Sequence, residues 1–85
     1  KDLFEGTVDG AAVHTREIVE AALSRHATAV LICHNHPSGR TEPSPEDREI
    51  TQKLKRDLGV IGVTLLDHII VGDNQFFSFR EQGFL

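Results

Sequence analysis

The apolar positions of this chain change period along its length, and those changes mark out its elements. Leu3 to Thr7 has the composition of a strand and stops at Asp9-Gly10, a dipeptide that favours a turn because glycine accepts positive φ without steric penalty. From Arg16 to about His26, Ile18 pairs with Ala22 and Val19 with Leu23 at the i, i+4 spacing of one apolar stripe, which predicts a helix capped by Thr15. Ala27 to Cys33 then runs apolar with no alternation after Thr28, the pattern of a central strand covered on both faces. After a loop containing Pro37-Ser38-Gly39 and Pro43, Ser44-Pro45-Glu46-Asp47 opens a second helix. Ser44 is a favoured N-cap, Pro45 suits a first helical position that needs no N–H, and Asp47 completes a variant of the capping box. Ile50, Leu54 and Leu58 line one face of this helix, and Gly59 is expected to end it as a left-handed cap. Val60 to Val71 is β-rich, and Gly72-Asp73-Asn74 turns it back into Gln75 to Phe79 as a hairpin. The order is β-α-β-α-β-β, an α/β domain of layered α+β type.

At 85 residues the chain is one domain at most, and a domain of this size buries only about 60% of the surface its unfolded chain exposes. Its 39% apolar and 26% charged residues are ordinary globular usage. The longest apolar runs, Ala29 to Cys33 and Ile69 to Val71, are far short of the roughly 20 residues that span a bilayer, so no membrane association is expected. The chain starts at Lys1 rather than Met, and Leu3-Phe4 reads as the tail of a strand already under way. A segment that begins mid-domain is therefore expected, with any leader lying upstream. The single Cys33 forms no internal disulfide, which fits a reducing, cytoplasmic setting.

Charge narrows the choice of partner. A net charge of −4 opposes binding to a phosphate backbone, whose affinity comes from Lys and Arg displacing counterions. Lys53, Lys55 and Arg56 stand beside Glu46, Asp47, Glu49 and Asp57 on the second helix, and read as a solvated mixed-charge face. Direct nucleic-acid binding by this segment is not expected.

The chemistry concentrates at the end of the buried strand, in Cys33-His34-Asn35-His36-Pro37. Strand side chains alternate, so His34 and His36 point one way and Cys33 and Asn35 the other, which removes Cys33 as a ligand. Asp47, in the first turn of the next helix, can be carried back by the intervening loop to the same point. Two histidines and one carboxylate leave a fourth tetrahedral position for water, the arrangement of a catalytic rather than a structural zinc. The reaction class implied is metal-assisted hydrolysis, with a peptide or isopeptide bond as a natural substrate. Each half alone has a plain structural explanation, since H-x-H is common and S-x-x-D is a helix cap. Their combination is harder to dismiss, because two histidines at the open end of a buried strand must each find a partner. Other metal motifs fit less well. An H-x-H-x-D site needs Asp where Ser38 stands, H-E-x-x-H needs a helix that Pro37 and Gly39 oppose, and an HNH nuclease disperses its residues.

The spacing His34-Asn35-His36-Pro37, seven residues after His36 to Ser44, then Asp47, resembles the H-x-H-x(7)-S-x-x-D signature of JAMM or MPN metalloproteases. Leu3-Phe4-Glu5-Gly6-Thr7, His34-Asn35-His36-Pro37-Ser38-Gly39, Pro43-Ser44-Pro45-Glu46-Asp47 and Leu66-Asp67-His68-Ile69-Ile70-Val71-Gly72 look like the bacterial RadC family, over nearly the whole chain. The resemblance implies a cytidine-deaminase-like, MPN-type three-layer domain lacking its first strand and helix. It implies Zn2+ held by His34, His36 and Asp47, with Ser44 as the catalytic hydrogen-bond donor to the developing oxyanion or the metal-bound water. Enzymes of this type take their general base from a glutamate on an earlier strand. None of Glu5, Glu17, Glu20, Glu42, Glu46, Glu49 or Glu81 matches that position, so this segment alone is expected to be inactive while the intact protein is a zinc metalloprotease. The alternatives are a non-catalytic MPN-like binding module and an accessory role in DNA repair, a label RadC-like proteins carry but these residues do not support. Asp67-His68 is able to supply a hydrogen bond to a ligand imidazole, although a satisfied core pair is the preferred reading. His14 and His26 read as surface or cap residues, and Phe76, Phe77 and Phe79 as core and edge packing.

Overall fold

The computed structural model describes residues 15–36 and 38–85, together with the backbone of residues 3–9. Gly10 of the expected turn, His14 and Pro37 lie outside the described residues. The elements follow the predicted order: β1 (Leu3–Asp9), α1 (Thr15–Ser24), β2 (Ala29–Asn35), α2 (Pro45–Val60), β3 (Thr64–Gly72) and β4 (Gln75–Ser78). The sheet is mixed and four-stranded in the order β1-β2-β3-β4, with β1, β2 and β3 parallel and β4 antiparallel to β3.

Both helices pack on one face of the sheet, the arrangement expected when parallel β-α-β units step in one direction. There Ile18 and Ala22 of α1 and Leu54 and Leu58 of α2 close over Val30 and Ile32 of β2 and Leu65 of β3. Each fully buried aliphatic side chain in this layer contributes about 1.5–3 kcal/mol, which makes the α1-α2-sheet wedge the main source of stability. β2 is central, as its apolar run predicts, but its burial alternates. Val30, Ile32 and His34 are buried, whereas Ala29, Leu31 and Cys33 are only half-buried on the opposite face.

Both helices end differently from their sequence expectation. In α2, Gly59 lies inside the helix and the left-handed residue is Gly62, at φ 76°. Gly62 N–H donates to the Gly59 carbonyl at 3.1 Å and Val63 N–H to the Leu58 carbonyl at 2.8 Å, a Schellman closure. α1 closes the same way without glycine. His26 takes φ 53°, with its N–H on the Leu23 carbonyl at 3.1 Å and that of Ala27 on the Ala22 carbonyl at 2.9 Å.

A bulge in β3 decides which of its residues face the helices. Val30 pairs with Leu65, but Leu31 pairs with Asp67, so Leu66 is an extra residue in the ladder. Alternation resumes one step late. Leu65, His68 and Ile70 are therefore buried, while Leu66 is exposed and Asp67 and Ile69 are half-buried. The Arg80 guanidinium reaches back to the carbonyls of Leu65 and Leu66 at the bulge. Asp67 ties the same corner, accepting from Ser78 Oγ and from the backbone N–H groups of His68 and Arg80.

The loop between β2 and α2 is locked onto the β3–β4 hairpin. His36 N–H donates to the Val71 carbonyl at 3.2 Å and Asp73 N–H to the Gly39 carbonyl at 2.9 Å. The approach is so close that a Cβ on Gly72 would sit 2.3 Å from the Gly39 oxygen. No helix among the described residues is long and apolar enough to cross a membrane.

Candidate metal centre

His34 and His36 leave the C-terminal end of β2, and Asp47 stands in the first turn of α2, so a strand end and a helix start meet at one point. One ligand-type atom from each of the three lies within 4.8 Å of the others. His36 Nε2 is 3.0 Å from Asp47 Oδ2, and His34 Nδ1 is 3.7 Å from Asp47 Oδ1. The two imidazoles meet edge to face, with centroids 4.8 Å apart and planes at 90°. Cys33 is half-buried on the other face of the sheet and is not part of this group. Among the described residues no glutamate carboxylate joins it.

The helix cap and the cluster are built from the same two residues. Ser44 Oγ accepts from Asp47 N–H at 3.0 Å, and Ser44 N–H donates to Asp47 Oδ2 at 2.9 Å, a complete capping box. This cap uses Oδ2 and leaves Oδ1 turned toward His34. Capping therefore orients the carboxylate at the histidines instead of competing with them.

Both ring nitrogens of His36 face an oxygen acceptor. Its Nδ1 lies 2.9 Å from the Arg40 carbonyl, which can only accept, so Nδ1 carries the hydrogen. That leaves Nε2 facing a carboxylate oxygen, a contact that needs either a second proton on the ring or a cation between the two atoms. A backbone carbonyl holding one ring nitrogen so that the other is presented is the usual outer support of a metal-binding histidine.

His34 is buried, and its Nδ1 has no hydrogen-bond partner. Burial lowers its pKa, with the neighbouring His36 acting in the same direction and Asp47 opposing, so the ring is neutral with a lone pair to offer. For Asp47 burial acts to raise the pKa, but the Ser44 hydrogen bonds and the two imidazoles outweigh it and hold the carboxyl below its ordinary value. Neutral imidazole and ionised carboxylate are the forms that ligate metals. The residues present thus fit a metal ion, and an orphaned buried nitrogen is the feature such an ion would satisfy.

Residues 1–84 match the family model described as a RadC-like JAB domain. The chain belongs to this family. It is 55% identical over 84 residues to a UPF0758 protein of Shewanella denitrificans and 52% identical over the same length to UPF0758 proteins of Shewanella baltica and Shewanella amazonensis. In each case the match covers 99% of this chain and 37% of the relative, so the chain spans about a third of the length of the curated relatives it matches. The name UPF0758 specifies no activity.

Within this RadC-like domain, the sequence reading missed two contributors to the cluster. One is the Arg40 carbonyl, which no side-chain pattern reveals. The other is Thr51, fully buried, whose hydroxyl bridges the Asp47 carbonyl and His68. A signal for Thr51 was present: Asp47, Thr51, Leu54 and Leu58 form one helical stripe, and a polar residue inside an apolar stripe needs a partner. Asp67 and His68 part company, since Asp67 ties the β3–β4 corner while His68 lies against His34 with ring centroids 5.6 Å apart. Of the phenylalanines, Phe79 is fully buried, Phe77 half-buried and Phe76 exposed. His26 is exposed at the end of α1.

Proposed function

We propose that this domain is the metal-binding half of a zinc-dependent hydrolase acting on peptide or isopeptide bonds, with His34, His36 and Asp47 as ligands. The observation that carries the reading is the pairing of a tethered His36, whose Nε2 faces Asp47 Oδ2 at 3.0 Å, with a buried and unpartnered His34 Nδ1. The 3.0 Å between His36 Nε2 and Asp47 Oδ2 is close to the roughly 3.3 Å edge of a tetrahedron with zinc–ligand bonds of ~2.0 Å, and one ligand atom from each of the three residues lies within 4.8 Å of the others. When bound, zinc lowers the pKa of its water toward ~7 and polarises the scissile carbonyl.

The chain's own residues supply the rest. His34 and Asp47 present a neutral nitrogen and an ionised oxygen without prior proton loss near pH 7. The Ser44 Oγ already accepts from Asp47 N–H, so its own hydrogen is available to donate to the oxygen that gains charge. His36, Ser38, Arg40, Glu42 and Ser44 line a depression of about 300 Å³ that opens onto this point and would admit an extended substrate. The general base would come from the part of the longer protein outside this segment, which would also complete a three-layer, cytidine-deaminase-like arrangement over the half-exposed face of the sheet. The segment alone is then inactive, and we place the intact protein in the cytoplasm. A net charge of −4 and the pairing of Lys53 with Asp57 at 2.6 Å favour a peptide partner over nucleic acid.

One observation favours a second reading, a metal-holding binding module: no glutamate among the described residues stands in the cluster. Elemental analysis and calorimetric titration test the leading proposal, with about one zinc per chain expected. Protein that stays zinc-free at saturating metal would overturn it. Hydrolysis by the longer protein, abolished in His34→Ala, would decide between enzyme and module.

A further inference from the structure

His68 is a fully buried polar ring to which neither the cap nor the metal cluster assigns a role. It is on the helix-facing side of the sheet only because the Leu66 bulge shifts the alternation of β3 by one residue. Two other rings stack on it. The Phe79 ring centroid is 4.6 Å away with planes 7° apart, and that of His34 5.6 Å away with planes 23° apart.

Its hydrogen bonding has a direction. Thr51 Oγ1 is 2.6 Å from the Asp47 carbonyl and 2.6 Å from His68 Nδ1. A carbonyl only accepts, so the single hydroxyl hydrogen goes to Asp47, and the hydroxyl oxygen accepts from His68 Nδ1–H. The reverse order would place the single N–H of the neutral ring on Nε2, which is buried without any partner, and an orphaned donor is rarer in folded proteins than an orphaned acceptor. The relay therefore runs from His68 through Thr51 to the backbone of Asp47.

We infer that His68 is a positioning residue for the metal cluster, holding Asp47 through Thr51 and His34 through ring stacking. The inference rests on His34 and Asp47 being metal ligands. It deepens that reading by adding a support on a third element. β2 carries the two histidines and α2 the carboxylate, so their relative placement depends on the packing of a helix against a sheet. The relay from β3 fixes the first turn of α2 against that sheet at the residue that matters, while the stacked ring limits rotation of His34. Packing alone does not call for an imidazole, because phenylalanine would fill the same slot without burying an unpartnered nitrogen. The Nδ1 hydrogen is what histidine adds.

The test uses cobalt as a spectroscopic probe and zinc as competitor on this chain and its variants, with circular dichroism to confirm folding. Thr51→Val keeps the shape and removes the hydroxyl, His68→Phe keeps the stack and removes the donor, and Thr51→Ser keeps the relay. Val and Phe are expected to weaken zinc binding by about 10- to 100-fold and to alter the cobalt absorption bands at saturation, whereas Ser stays within about 3-fold of the parent. If Thr51→Val fails to fold, His68→Phe carries the same expectation. Unchanged affinity and an unchanged cobalt spectrum in the Val and Phe variants of a parent that binds metal would overturn the inference and leave the ligand assignment standing. A parent that binds neither cobalt nor zinc would overturn both.

Discussion

Replacing Asp47 by Asn separates its two duties, because the cap needs one accepting oxygen and the metal needs a charged one. In the structure Oδ2 accepts from Ser44 N–H at 2.9 Å, and Oδ1 faces the bare His34 Nδ1 at 3.7 Å. An asparagine can keep its oxygen on Ser44 N–H and turn its amide NH2 toward His34 Nδ1, which supplies the donor that nitrogen lacks. What is lost is a negative charge in the first helical turn, worth about 0.3–1 kcal/mol. The metal-free variant should therefore melt close to the parent, within about 1 kcal/mol. Its response to zinc should differ sharply, since a neutral amide is a poor substitute for a carboxylate at such a site. Zinc at a hundred times its dissociation constant stabilises the parent by about 2.7 kcal/mol, a rise of roughly 10 to 20 °C in melting temperature for a domain of this size. The same zinc concentration should move Asp47→Asn by no more than a few degrees, on the order of what weak surface binding gives. Differential scanning fluorimetry with and without zinc reads both quantities. An equal zinc-induced rise in the two proteins would remove Asp47 from the ligand set and leave it a helix cap.

Other outcomes follow from the same geometry. Ser44→Ala removes the acceptor of Asp47 N–H and should cost about 0.5–2 kcal/mol by chemical denaturation while keeping the metal; in an active full-length protein it should slow turnover by about 10² to 10³. His68 has its pKa lowered to about 4, first by burial and then by His34, against opposition from Asp47 and Asp67. The unfolded chain therefore binds the extra proton first. Stability of the metal-free domain should be fully present above pH ~6.5 and fall by about 3 kcal/mol as the pH drops to ~4, and an NMR titration placing the His68 midpoint near its ordinary value would refute this. A Cβ on Gly72 would meet the Gly39 carbonyl and Thr41 Cγ2. Gly72→Ala should cost about 1–3 kcal/mol and weaken zinc binding by displacing the loop that carries the Arg40 carbonyl. Gly59→Ala, with no atom within 4 Å of the new Cβ, should instead stabilise α2 by about 0.5–1 kcal/mol in urea melts.

The parts of this domain that could be read from the chain are those written locally. The capping box at Ser44 and Asp47, the apolar stripe of α2 and the same-side placement of His34 and His36 follow from spacing within one element, and the structure holds all three. Gly59 misled because glycine is the commonest left-handed cap, yet Gly62 stands three residues on and lets the Schellman bonds form around Ile61. The apolar run of β2 suggested cover on both faces, whereas α1 and α2 both pack on the same side. His68 was out of reach for a different reason. Strict alternation from Leu65 would bury Asp67 and Ile69 and turn His68 outward, and nothing in Thr64-Leu65-Leu66-Asp67-His68 announces an extra residue. The bulge becomes intelligible only with distant partners in place, when Arg80 satisfies the carbonyls of Leu65 and Leu66 and Ser78 and the Arg80 N–H satisfy Asp67. A C-terminal segment remote in sequence from His34 and His36 thus holds the parity of β3. That parity puts a ring under His34 and a donor behind Thr51. Because Leu66 is the extra residue, deleting it should leave Leu31 opposite Asp67 and Ile32 opposite His68 in an unbroken ladder, with His68 still on the helix face. Arg80→Ala, which strips the bulge carbonyls of their donor and keeps every residue of β3, should instead loosen that register and weaken zinc binding with every ligand still present; unchanged zinc affinity in a folded Arg80→Ala variant would refute the link.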